Sequence, residues 1–372
     1  MKPEKLIYTF VSFASYIDKD WGRGVPESGI EFMAKLVHKY DIPITWIVNS
    51  RSSEVMGDRI NLWHSQYDDN IILWIPAHFS DYDPAYDKRE LEKGLIREWS
   101  IIEKIFPWAD IKVAASGYID SNMINVLEKL NFQGLWGYCW EQTWWDGITH
   151  KGVPWGAWYI DSNRWKVPHT AKGQLVACEW TARDLNSTFH TGSPAVYSTD
   201  PDDVLRSGLC TGENIEYWKK LFCDYLLNTD NNEYVFFLQH QESHEMDESK
   251  EFSLYPHDHI METADMLDKF LEYISGFGVT AMNLPCAIKF YKMMFMVGSA
   301  WCLEIAPDIP KKLNYAFGKI NTIKGEITVS WSKNAGKVDI FVFIPEKIKA
   351  ILKYINKQVA LYAGNNRIAF PF

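Results

Sequence analysis

Short apolar runs alternate with longer stretches whose apolar positions recur every three or four residues, over most of the first 295 positions. Leu6–Phe13 (LIYTFVSF) reads as a buried strand. Glu27–Tyr40 reads as a helix with Ile30, Met33, Ala34 and Val37 on one face, and Pro26 stands at its start. The alternation continues through strand Ile44–Val48, helix Ser52–Gln66, strand Ile71–Ile75 and the amphipathic helix Lys88–Phe106. Next come strand Lys112–Ala115, helix Ser121–Leu130 with Asp120 as its N-cap, and strand Gly134–Tyr138. An insertion rich in Trp, Gly and Pro occupies Cys139–Lys172. Strand Gln174–Cys178 resumes the pattern, and an irregular stretch runs to Gly212. Helix Glu213–Leu227, strand Tyr234–Leu238, helix His259–Ile274, strand Val279–Met282 and helix Pro285–Met294 complete the series.

Strands that alternate with helices predict a parallel sheet with helical crossovers. The number of units predicts an irregular (β/α) barrel of seven or eight units, an α/β fold, over residues 1–298. From Gly318 onward the period changes to two, in Glu326–Trp331, Lys337–Ile344, Gln358–Tyr362 and Arg367–Phe370. Residues 299–372 are therefore expected to hold a linker, Ser299–Phe317, and a small antiparallel β domain. This tail resembles the small β-sandwich at the C-terminus of some glycosidases.

Composition narrows the possible partners. A net charge of −10 with no basic stripe argues against nucleic acid. No apolar stretch approaches the ~18 residues of a membrane span, and MKPEKLIYTF lacks a signal-peptide core, so a cytoplasmic protein is expected. The six cysteines have no C-x-x-C spacing and are expected to be free thiols. Walker, Rossmann and G-x-S-x-G signatures are absent, which disfavours nucleotide and serine-hydrolase chemistry. Aromatic residues reach 15%, and seven of the 17 tryptophans fall between Trp136 and Trp165. Such a cluster either packs on itself as a lid or stacks on a ligand. Sugars are the natural ligand class, because their C–H faces suit indole rings.

In a (β/α) barrel the chemistry sits on loops after the strands. Those loops offer Asp18, His78, Tyr118, Glu141, Glu179 with Trp180, and the run QHQESHE with His240, Glu242, His244 and Glu245. Glycoside hydrolysis needs two carboxylates across a scissile bond. Glu141, Glu179 and Glu242, with Asp18 in reserve, are the candidate catalytic acids. Trp136, Trp140, Trp144, Trp145, Tyr118 and Trp180 are the candidate sugar-stacking residues. His78 and His240 are candidate metal ligands or proton carriers. His240 and His244, four apart, share a face only if that segment is helical. His38, His64, His150, His169 and His190 read as surface or loop residues.

The stretch IPAHFSDYD, a long helix, and then KVAASGYIDSNMINVLEKLNFQGLWG resembles the middle of the polysaccharide deacetylase (NodB-like) barrel. YTFVSF resembles that family's first strand, and VFFLQH its final strand with the closing histidine. The resemblance implies a hydrolase acting on carbohydrate and a divalent metal such as zinc. It also exposes departures. Val11 and Ser12 follow Thr9-Phe10 where the family has two aspartates. Tyr82 stands four residues after His78 in place of a second histidine, and AASGY lacks the family's arginine. Two functions remain open: a glycosidase or divergent deacetylase, or a catalytically silent carbohydrate-binding protein on the same barrel.

Overall fold

The computed structural model describes residues 5–16, 24–76, 88–117, 119–138, 157–163, 165, 175–192, 195–196, 198–229, 234–294, 302–305, 307, 309, 312–322, 325–334, 336–345, 349–354 and 357–371. The chain divides into two compact units, 1–295 and 296–372.

The first unit is a curled, mainly parallel α/β sheet flanked by helices. Its strands are β1 (Leu6–Phe13), β2 (Ile44–Val48), β3 (Asn70–Trp74), β4 (Val113–Ala115), β5 (Gly134–Tyr138), β6 (Ala157–Ile160), β7 (Leu175–Glu179), β8 (Val235–Gln241) and β9 (Thr280–Ala281). They run in the order β6-β7-β5-β4-β3-β2-β1-β8, with β9 paired to the start of β1. Among the described residues this path stays open between β6 and β8. Every pairing is parallel except β6 with β7.

The helices are α1 (Glu27–His38), α2 (Ser50–Tyr67), α3 (Lys88–Ile105), α4 (Ser121–Lys129), α5 (Leu185–Thr191), α6 (Pro201–Arg206), α7 (Glu216–Asn228), α8 (His257–Ser275) and α9 (Leu284–Met294). Their starts follow local chemistry. Asn49 and Ser52 cap α2 reciprocally, and the Asp120 carboxylate accepts the Met123 N–H at 2.8 Å to open α4.

The period of two along each strand sorts the sheet into two buried faces. Leu6, Tyr8 and Phe10 join the helix-side core with Ile30, Met33 and Leu267. Ile7, Val11 and Phe13 join the inner core with Ile47, Ile72, Trp74, Trp136 and Leu238. Leu284, Ala287 and Ile288 of α9 pack into that inner core.

A bulge in β5 breaks the alternation where it matters. The register against β7 shifts between Trp136 and Tyr138, so Trp136 lies in the inner core and Tyr138 in the helix-side core. Gly137 makes this possible. Its φ is +126°, and a Cβ there would lie 1.8 Å from the Ser116 carbonyl oxygen.

Three sequence expectations change. The insertion contains an ordered antiparallel strand, β6, and Trp136 and Trp158 are buried strand residues. The stretch before Gly212 contains α5 and α6, which are too short to register as periodic patterns. His38 is buried, not superficial: its Nε2 meets Asp69 at 2.9 Å and its ring stacks on Tyr67.

The second unit holds β10 (Cys302–Ile305), β11 (Tyr315–Thr322), β12 (Gly325–Asn334), β13 (Lys337–Ile344), β14 (Lys349–Tyr354), β15 (Lys357–Leu361) and β16 (Gly364–Pro371). One sheet runs β10-β14-β15 and the other β11-β12-β13-β16. Both contribute to one core that includes Ile305, Trp331, Val338, Ile340, Leu352 and Phe370. The expected linker Ser299–Phe317 thus contains one strand and the start of another. β10 also pairs parallel to β14, so the domain is mixed rather than purely antiparallel.

Candidate functional site

The C-terminal end of β8 gathers the chemistry. His240 is fully buried, and its ring lies 4.8 Å from Trp180, 5.1 Å from Trp136 and 5.5 Å from Phe13. Trp180 and Trp136 stack at 4.5 Å. Only Trp180 of these rings is partly exposed. His240 Nδ1 lies 2.9 Å from Asp200 Oδ2, and Trp180 Nε1 donates to the same oxygen at 3.3 Å.

A carboxylate oxygen accepting from an indole N–H leaves Nδ1 as the protonated nitrogen of the imidazole. Nε2 then presents its lone pair, and it has no hydrogen-bond partner among the described residues.

Asp200 breaks a local rule to serve this histidine. It is the N-cap of α6 with Pro201 behind it, yet its side chain makes no cap bond. A capping bond contributes about 1 kcal/mol. Diverting the carboxylate to His240 gives that up.

Next to the pair lies a group of acids. Glu242 follows β8, and Glu245 sits in the 3-10 turn Ser243–Met246, held by Gln241 Nε2 at 2.6 Å. Glu242 is raised well above the usual carboxylate range by burial and then by Asp200, Asp202 and Asp203. Glu245 is raised by burial and then by Glu242, Asp202, Asp200 and Asp203. Asp203 rises from 3.8 to about 7 through burial and its neighbours Asp200 and Asp202, against Ser198 and Arg206. His244 falls from 6.5 to about 4, through burial and then His240, against Asp247. It is therefore neutral at pH 7. Its Nε2 lies 3.2 Å from Glu242 Oε2, and its ring meets Tyr16 edge-on at 4.7 Å.

The turn is buttressed from below. Gly29 of α1 approaches so closely that a Cβ would lie 2.0 Å from the Ser243 carbonyl oxygen, and its N–H donates to Asp247 at 3.0 Å. Ser12 Oγ donates to the Gln241 carbonyl at 2.8 Å, which ties the end of β1 to that of β8.

Glu179 stands apart from this group. It follows Leu175 and Ala177 on the helix side, where Arg183 Nε meets it at 2.9 Å, both side chains buried. Burial lifts its pKa from 4.5 to about 7, against the pull of Arg183. Because the folded value lies above the unfolded one, protonated Glu179 favours the fold. That contribution is complete below about pH 4.5 and disappears as pH rises through about 7. The expected result is a melting temperature that falls between pH 5 and 7, with a shallower fall in Glu179→Gln. Identical slopes in the two proteins would rule this assignment out.

The structure thus brings together His240, Glu242, Trp136 and Trp180 of the expected residues, and separates Glu179 from them. Asp18, His78, Tyr118, Glu141, Trp140, Trp144 and Trp145 lie outside the described residues. The His240–His244 spacing is not helical, since β8 ends at Gln241 before the 3-10 turn begins. Sequence reasoning missed Asp200, Asp202 and Asp203, in Thr-Asp-Pro-Asp-Asp. An Asp followed by Pro and two more acids is a helix-start signal, and it could have drawn attention to them.

The deacetylase metal triad does not fit these residues. Val11 belongs to the inner apolar core, and the Ser12 hydroxyl is engaged by Gln241 and Ser243. A different group, Glu242, His244 and Glu245, brings its potential ligand atoms within 4.8 Å of one another.

Residues 302–366 match the bacterial alpha-L-rhamnosidase C-terminal domain family. The chain is similar to several solved structures, three of which follow. One is described as a polysaccharide deacetylase from Mycobacterium smegmatis, with 11% identity, 79% of this chain and 92% of that one covered, and TM-score 0.47. Another is Puue allantoinase, with 11% identity, coverage of 77% and 90%, and TM-score 0.49. The third is a CE4 family pseudoenzyme from Bacillus anthracis, with 8% identity, coverage of 77% and 66%, and TM-score 0.39. No curated protein matches the chain. No helix among the described residues is long and apolar enough to cross a membrane.

Proposed function

We propose that the chain is a carbohydrate-active hydrolase centred on His240 and Asp200 at the mouth of the barrel. The observation that carries this reading is the buried Asp200–His240 pair, with Nδ1 fixed at 2.9 Å and Nε2 left without a partner among the described residues. This is the arrangement of an imidazole held in one tautomer to take and return a proton. Glu242 lies beside the pair, and burial with the neighbouring Asp200, Asp202 and Asp203 raises it well above the usual carboxylate range, a shift in the direction that suits a general acid. Trp180 offers the partly exposed ring on which a sugar can stack, with Trp136 and Phe13 behind it. Glu242, His244 and Glu245 are the residues that would hold a divalent ion, and such an ion would polarise a substrate oxygen.

A second reading is a catalytically silent sugar-binding protein, favoured by Val11 and Ser12 in place of two acids. A panel of aryl glycosides and acetylated sugars, run with metal analysis, separates the two. Turnover that disappears in His240→Gln supports the hydrolase. Absence of turnover with sugar binding by calorimetry establishes the silent protein instead.

A further inference from the structure

The outward face of the β11-β12-β13-β16 sheet is aromatic where a solvated sheet face is ordinarily polar. Tyr315, Phe317, Phe341 and Phe343 are 62%, 57%, 41% and 39% exposed. The register arranges them in two walls. Tyr315 and Phe317 of β11 stand opposite Ser332 and Ser330 of β12. Phe341 and Phe343 of β13 stand opposite Ser330 and Thr328 on the other side. The walls are two strands apart, roughly 9.5 Å, and rings within a wall are roughly 6.7 Å apart. Between them β12 supplies a floor of three small hydroxyl residues, Thr328, Ser330 and Ser332.

Charges beside this trough are matched within the face. Lys319 pairs with Glu326 at 2.9 Å. Arg367 pairs with Asp339 at 3.4 Å, and its guanidinium lies over Phe341 at 5.2 Å. Lys337 lies beyond the trough, opposite Asn334 at the turn.

We propose that this face binds a neutral polysaccharide chain laid along β12. The internal pairing leaves little net charge to recognise an ionic partner. Apolar walls over a hydroxyl floor complement a molecule with C–H faces and hydroxyl edges. An extended peptide would instead seek the main-chain groups at the edges of the sheet. The inference goes beyond the proposed barrel reaction and does not require it.

The test uses the full chain. It is mixed with insoluble cellulose, chitin and xylan, and run in native gels containing galactomannan or mixed-linkage β-glucan. Retention by at least one of these is expected, weakened by roughly tenfold or more in the double variant Phe317→Ala/Phe341→Ala. Ser330→Lys, which leaves all four rings in place, should weaken it as well. Met261→Ser, which removes an exposed apolar group of α8, should bind as the unaltered protein does, the control for loss of surface apolar area elsewhere. Three results overturn the proposal: no retention by any of these glycans, retention indifferent to the Phe and Ser substitutions, or a dimer in sedimentation that the double variant dissolves. The last would assign the face to a second copy of the chain.

Discussion

Asp200→Asn is expected to lower kcat/KM by about 10²–10⁴ on any substrate that the sugar panel identifies, the usual range for losing a positioned general base. Asp200 does not need to touch substrate for this. It acts through His240 as a positioning residue, because its carboxylate accepts the Nδ1 proton at 2.9 Å and leaves Nε2 basic. An amide can donate to Nδ1 instead, which moves the proton to Nε2 and removes the base. The pH–rate profile should then change shape as well as height, whereas a purely structural loss would lower it uniformly. His240→Gln should reduce kcat at least as far. Circular dichroism must show both variants folded. Unaltered kinetics in folded Asp200→Asn would remove His240 from the reaction.

Gly137→Ala is expected to have the largest effect on stability, about 3–5 kcal/mol. Two costs add at this site. The first is a φ of +126° that a side chain disfavours, and the second is a Cβ placed 1.8 Å from the Ser116 oxygen. Gly208 supplies the control. Its φ is also positive, at +71°, but a Cβ there meets nothing within 4 Å. Gly208→Ala should cost only about 1 kcal/mol. Chemical denaturation of the two variants isolates the contribution of the close approach. Equal losses would mean that β5 relaxes around the new methyl group.

The sequence made the barrel legible because its strands are short apolar runs and its helices carry strong periodicity. β1, β2 and β5 have the bounds that their sequences predict. β6 was hidden because its four residues, AWYI, sit among glycines, prolines and tryptophans with no alternation to reveal them. α5 and α6 span barely two turns each. In the second unit the expected linker Ser299–Phe317 takes in the start of β11, because Tyr315 and Phe317 alternate with Ala316 and Gly318, small residues that give the pattern little contrast.

The site was less legible than the fold. Strand-end position singles out His240, Glu242 and Trp180, which the fold gathers at the C-terminal end of β8. It could not tell that Glu179 follows Leu175 and Ala177 on the helix side, because the four residues before it, LVAC, are apolar on both faces and hide the phase of the strand. Nor could it pair His240 with Asp200, forty positions earlier, since nothing local connects them.

The pairing of β1 with β8 has a consequence for how the molecule forms. Leu6–Ser12 meets Val235–Gln241, so one edge of the first strand stays open until some 230 further residues have been made. Contacts this distant in sequence are slow to close, and an unpaired apolar edge invites association with other chains meanwhile. His240 arrives on that same late strand, with Asp200 waiting at the start of α6 and Phe13 on β1. The candidate site therefore assembles in the step that closes this edge of β1, and newly made chains should gain their chemistry and lose their stickiness together.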